Sequence, residues 1–191
     1  MPRLPLLLAL GLAASATFSA CDSAGTDADE GEVVTRVTYT LVPVTGGGAA
    51  QTATFNDANR NGLVEAGEAT GLTLVAGQRY TGTVAVSSPA GDVTAEIASE
   101  NDEHAFVYTP AGGVAGRLTV LSNDLDANGL PFRRTTAVSA TGTAAASGTL
   151  LVELVHFGSA AAKREAVGVA TATMERDVSV SFPVTVAVAP N

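Results

Sequence analysis

From Val33 onward the apolar residues of this chain come in short runs that alternate with polar ones, and clusters of Gly, Pro, Asn or Asp separate the runs. Side chains of a β-strand point to opposite faces with period two, so such runs build strands with one buried face. Residues 34–42 set Val37, Tyr39 and Leu41 on one face, with Arg36, Thr38 and Thr40 on the other; Gly46, Gly47 and Gly48 then break the chain. Residues 51–55 and 71–75 read as short strands flanking a polar loop. Residues 79–86 bring Tyr80, Val84 and Val86 together, and 92–103 is the least strand-like stretch, suited to a helical turn. Strands follow at 104–109, 118–121, 132–140 and 149–157. Within the ambiguous segment 158–175, residues 160–166 suit a short helix. The last strand, 177–188, contains Pro183, which suits a sheet edge or a bulge because proline cannot donate to a ladder.

Composition points the same way. Val, Thr, Ala and Gly dominate, Trp is absent, and no long stretch rich in Glu, Lys and Leu carries a helical period. A single cysteine rules out an internal disulfide framework, so sheet packing must hold the fold. Strands with one apolar face need a second sheet to cover them. The expectation is an all-β fold, an antiparallel Ig-like β-sandwich of about eight or nine strands, forming a single domain over residues 33–191. No internal repeat is visible.

The cysteine, Cys21, ends a different kind of segment. Arg3 supplies a small positive region, residues 4–14 an apolar one, and Phe18, Ser19 and Ala20 lead to Cys21. That is the shape of a secretory signal. With cysteine at the cleavage point it resembles the lipobox of bacterial lipoproteins, which implies a leader over 1–20, removed, and diacylation of the Cys21 thiol. The alternative is an ordinary signal peptide with a stray cysteine. Residues 22–32, DSAGTDADEGE, are acidic and small with no apolar period, and read as a flexible tether with a reach on the order of 20 Å. Acidic residues close behind the lipidated cysteine resemble export signals for the outer membrane, on its periplasmic or surface face. Asp22 directly after Cys21 resembles the inner-membrane retention signal of other bacteria.

Charge and motifs exclude several functions. The 19 Asp and Glu outweigh the 10 Lys and Arg, and Lys163 is the sole lysine. No basic patch is present to neutralise phosphates, so a nucleic-acid partner is not expected. No G-x-S-x-G turn, H-E-x-x-H pair or P-loop occurs, and no thiol remains once Cys21 is lipidated. The chain is not expected to be an enzyme.

Three places carry ion chemistry. Residues 57–68 fit D-x-[DN]-x-[DN]-G-x5-E throughout: Asp57, Asn59 and Asn61 supply oxygens, Gly62 the turn, Leu63 a carbonyl, Glu65 a water-mediated ligand and Glu68 a bidentate one. The flanks read as strands rather than helices. Residues 55–71 resemble the calcium-binding loop of B-type repeats in secreted surface adhesins, which implies calcium. The alternative is a polar loop whose Asp and Asn cap their own turns. Asp124, Asp126 and Asn128 repeat the first three ligand positions without the closing Glu, since Thr135 stands there; a simple turn competes with calcium. The two histidines, His104 and His156, stand at strand ends, His104 behind Glu100, Asp102 and Glu103. Strand ends gather at the ends of a sandwich, so both are expected at one end, where they could hold a transition metal. Two ordinary surface histidines are the alternative.

Over most of 33–185, several phrases resemble small Gram-negative lipoproteins labelled type 1 periplasmic binding fold superfamily protein. These are VTRVTYTL at 34–41, GLTLVAG at 71–77, YTGT at 80–83, DVTAEI at 92–97, DEHAF at 102–106, DANGLP at 126–131 and VSFPV at 180–184. The label implies two lobes of alternating strands and helices; the residues themselves read as all-β. The combined expectation is a lipid-anchored, non-enzymatic cell-envelope module that binds a ligand or partner and is stiffened by calcium. The alternative is a structural or adhesive surface module without a small ligand.

Overall fold

A computed structural model describes residues 33–44 and 48–188. Cys21, the leader and the tether lie outside the described residues, as does most of the glycine break after the first strand. The fold is all-β, built as two sheets. The strands are β1 (Arg36–Pro43), β2 (Gln51–Asn56), β3 (Leu72–Val75), β4 (Arg79–Ser88), β5 (Gly91–Asp92), β6 (His104–Gly112), β7 (Leu118–Ser122), β8 (Thr135–Ala140), β9 (Ala146–His156) and β10 (Glu175–Ala187). Two short helices, α1 (Thr94–Ser99) and α2 (Ala160–Glu165), interrupt them where the strand rhythm lapses.

One sheet runs β2-β1-β4-β8-β7, with β5 paired to β4; the other runs β3-β10-β9-β6. The pairing departs from a wholly antiparallel pattern at one place: β3 lies parallel to β10, Leu72 beside Val184. The two inner faces share one core. Val37, Tyr39, Leu41, Tyr80, Val84 and Val86 come from the first sheet, and Phe106, Leu150, Val152, Leu154, Val180 and Phe182 from the second. Burying a side chain of this size stabilises by roughly 1.5–3 kcal/mol relative to leaving it exposed. Tyr39 and Tyr108 meet across the sheets with ring centroids 5.4 Å apart.

Pro183 is on neither an edge strand nor a bulge. It lies inside β10, one residue before Val184, where the β3 partner begins. The bulge in β10 falls instead between Arg176 and Val178. On the outer face of the second sheet, α2 covers a small satellite cluster of Ala105, Val155 and Phe157 with Ala162 and Ala166. Ser159 caps α2, its hydroxyl accepting from the Ala162 amide at 3.1 Å. No helix among the described residues is long and apolar enough to cross a membrane.

Candidate metal centres

The loop 57–68 leaves β2 and returns through an isolated bridge between Phe55 and Ala69, so both ends are held by strand pairing. Asp57 is buried, and its carboxylate accepts from the amides of Asn61 at 3.2 Å and Gly62 at 2.8 Å. Gly62 sits at φ 73, the left-handed turn for which glycine was expected. Asn59 Oδ1 accepts from the Asn61 amide, and Asn61 Oδ1 from the Leu63 amide. Both asparagine side chains donate to Glu65, at 2.7 and 3.2 Å. Glu68 accepts from the Glu65 amide at 2.8 Å. Asp57, Asn59, Asn61, Glu65 and Glu68 therefore form one compact hydrogen-bonded set. A carboxylate has about four lone-pair sites, so Asp57 retains capacity beyond its two amides.

The second loop turns on Asp126, whose Oδ1 accepts from the amides of Asn128 and Leu130 at 2.8 and 2.9 Å. Its Oδ2 lies 3.0 Å from Lys163 Nζ, and both side chains are fully buried. Asp124 Oδ2 accepts from the Thr135 amide at 2.9 Å. The cation that Asp126 meets is thus the ammonium of α2. Burial pushes the Asp126 carboxyl up, but the backbone amides and Lys163 outweigh it and hold it below its ordinary value. Burial lowers Lys163, and Asp126 recovers only part of that shift. Nothing in the sequence marked Lys163 as internal; lysine is almost never fully buried unless paired.

The two histidines meet. His104 opens β6 and His156 closes β9, and they are direct cross-strand partners. Their rings stack with centroids 4.7 Å apart and an interplanar angle of 12°. Both have the same parity as Phe106 and Leu154, so they extend the inner face of the sheet to its open end. Glu100 Oε2 is 3.8 Å from His104 Nδ1, and Glu103 Oε2 is 3.9 Å from His156 Nε2. Of the acidic residues expected beside them, these two are present.

A third group was not foreseen. Asp177 is the extra residue of the β10 bulge: Arg176 pairs with Val155 and Val178 with Leu154, leaving Asp177 without a partner. Bulges of this kind re-aim a side chain. Asp177 Oδ2 reaches to 3.4 Å from His104 Nε2, with its side chain fully buried. His104 Nδ1 faces the Glu100 carbonyl at 3.2 Å, an acceptor only, so Nδ1 carries a proton. Burial pushes His104 down, but Asp177 and then Glu100 push it up and prevail. Among the described residues, His104, His156 and Asp177 are the one group of three such ligands whose donor atoms lie within 4.8 Å of one another. Only a register break, invisible in the alternation of Val178, Val180 and Phe182, places Asp177 there. Comparison of this chain with family models, curated proteins and solved structures returned no match.

Proposed function

We propose that this chain is a lipid-anchored, non-enzymatic protein of the bacterial cell envelope, an Ig-like β-sandwich that binds a ligand or partner and is stiffened by calcium at the loop 57–68. The observation that carries the reading is the loop itself. A buried carboxylate, Asp57, anchors a left-handed turn at Gly62, and the Asn59 and Asn61 side chains both donate to Glu65 across that turn. Calcium takes six to eight oxygen ligands, and only three residues here, Asp57, Glu65 and Glu68, bring charge. Affinity is therefore expected to be modest, in the range of extracellular modules. Anchorage rests on the resemblance of the segment before Cys21 to a lipobox. Binding is placed at the end of the sandwich that holds this loop. There, Thr35, Arg36, Asn56, Asp57, Arg60 and Asp92 line a polar cleft of about 610 Å³.

Two results test this. Cys21→Ser is expected to move the protein from the membrane fraction to the aqueous phase in detergent partitioning, because acylation needs the thiol. A variant that stays with the membrane sinks the anchor. Calcium at about 100 times its dissociation constant is expected to stabilise the wild type by roughly 2.7 kcal/mol. Asp57→Ala should remove that increment. A melting temperature unchanged by chelator would leave the loop as a turn.

A further inference from the structure

We propose that His104, His156 and Asp177 form a binding site for a divalent transition-metal ion of the zinc class, separate from the calcium loop. Three adjacent strands, β6, β9 and β10, each deliver one ligand to the same end of one sheet. Two imidazoles and one carboxylate form a donor set that zinc accepts with a fourth position open. Oxygen-seeking calcium has no comparable use for two imidazoles.

Two further observations point to a ligand. Both carboxylate oxygens of Asp177 are buried without a hydrogen-bond partner, although Oδ2 faces the His104 ring at 3.4 Å. A buried polar group left unsatisfied is costly to the fold, the more so when charged. The bulge that creates this arrangement interrupts the regular pairing of β10 with β9 at Asp177. The orientation of His104 is also suited to a metal. With Nδ1–H turned to the Glu100 carbonyl, Nε2 is the nitrogen that points at Asp177. A backbone carbonyl behind a ligating histidine is the usual outer-shell partner that fixes its tautomer.

The arrangement must close slightly around an ion. Ligands about 2.0–2.1 Å from a tetrahedral zinc lie roughly 3.3 Å apart, and parallel rings aim their lone pairs along parallel lines. His156 is free to supply the motion. Its nearest acidic neighbour, Glu103, is 3.9 Å away, and its side chain is partly exposed, whereas that of His104 is nearly buried. A cleft of about 260 Å³, lined by Val34, Thr35, Asp57, Arg60, Glu175 and Asp177, opens beside the bulge.

The test is zinc titration of the full chain in detergent after chelator treatment, followed by calorimetry, with calcium in excess to occupy the loop. One equivalent per chain is expected. His156→Ala and Asp177→Asn should each weaken it at least tenfold. X-ray absorption at the zinc edge of the wild type needs no variant: two imidazoles at about 2.0–2.1 Å are expected. Absence of stoichiometric zinc, isotherms unchanged by both His156→Ala and Asp177→Asn, or fewer than two imidazoles at the edge overturns the site. In that event Asp177 is simply the counter-ion of a protonated His104.

Discussion

Lys163→Met is expected to destabilise the folded domain by about 3–5 kcal/mol, the cost of leaving a buried charge without its partner. The ammonium has three protons and three acceptors. Nζ donates to the carbonyls of Asn101 at 2.5 Å and His104 at 2.8 Å, and pairs with Asp126 Oδ2 at 3.0 Å. Methionine keeps the length and the apolar stem but orphans all three oxygens. A domain of this size unfolds for about 5–15 kcal/mol, so the loss takes a large share of its stability. Urea unfolding of Lys163→Met, Asp126→Asn and the double variant measures it. Asp126→Asn should cost less in the Lys163→Met background than in the wild type, because its charge is already uncompensated there. Asp126 has a depressed carboxyl, so its contribution is present above the ordinary value of about 3.9 and is lost as pH falls through the lower folded value. Removing the ammonium raises that folded value, so the cost of Lys163→Met should shrink as pH falls and Asp126 becomes protonated. A loss below about 1 kcal/mol would class the pair with exposed salt bridges. Because one acceptor is the His104 carbonyl, Lys163→Met should also weaken zinc binding.

The strands were legible because burial imposes period two. Val37, Tyr39 and Leu41 are fully buried, as their alternation requires, and so are Val84 and Val86 or nearly so. The short helices fell where that period lapses: residues 160–166 were expected and Ala160–Glu165 is formed, while the turn sought in 92–103 is Thr94–Ser99. Pairing was less legible. Nothing local tells β3 that its neighbour is β10, far along the chain and parallel to it. Phe132 is a core residue although the strand starts only at Thr135, because Arg133 takes φ 63 and breaks the extended run between them.

The candidate sites divide in the same way. The capping turns of the loop 57–68 are readable residue by residue, since their hydrogen bonds are local and the spacing carries them. That His104 and His156 share one end is expected from their places at strand ends; that they meet depends on β6 pairing with β9. Lys163 and Asp177 could not be read. One depends on α2 folding over the second sheet, the other on a one-residue bulge, and both are consequences of long-range packing.

Gly82→Ala is expected to destabilise by about 2–5 kcal/mol, combining overpacking with a disturbed buried hydrogen bond. Alternation along β4 points residue 82 inward between Tyr80 and Val84, where a large apolar side chain would be the ordinary choice. Glycine stands there because two partners occupy the space. A Cβ at Gly82 would lie 2.6 Å from Tyr39 Oη and 2.8 Å from Tyr39 Cε2, and would also press on Thr136 Oγ1. Those hydroxyls bond each other at 2.8 Å in a fully buried position, and burial raises the Tyr39 phenol. The ring cannot retreat, since Tyr108 packs against it from the opposite sheet at 5.4 Å. The sign of the effect separates sterics from propensity. Gly82 is not among the residues with positive φ, so alanine carries no backbone strain there, and replacing glycine in a strand should otherwise help. A neutral or stabilising Gly82→Ala in thermal and urea unfolding would therefore remove the steric account. The coupling gives a second reading. Tyr39→Phe costs about 1–3 kcal/mol in the wild type, because Thr136 loses its partner. In the Gly82→Ala background it should cost clearly less, since it also removes the atom nearest the new methyl on Tyr39. Equal costs in both backgrounds would mean that the methyl and the phenol do not compete for the same volume.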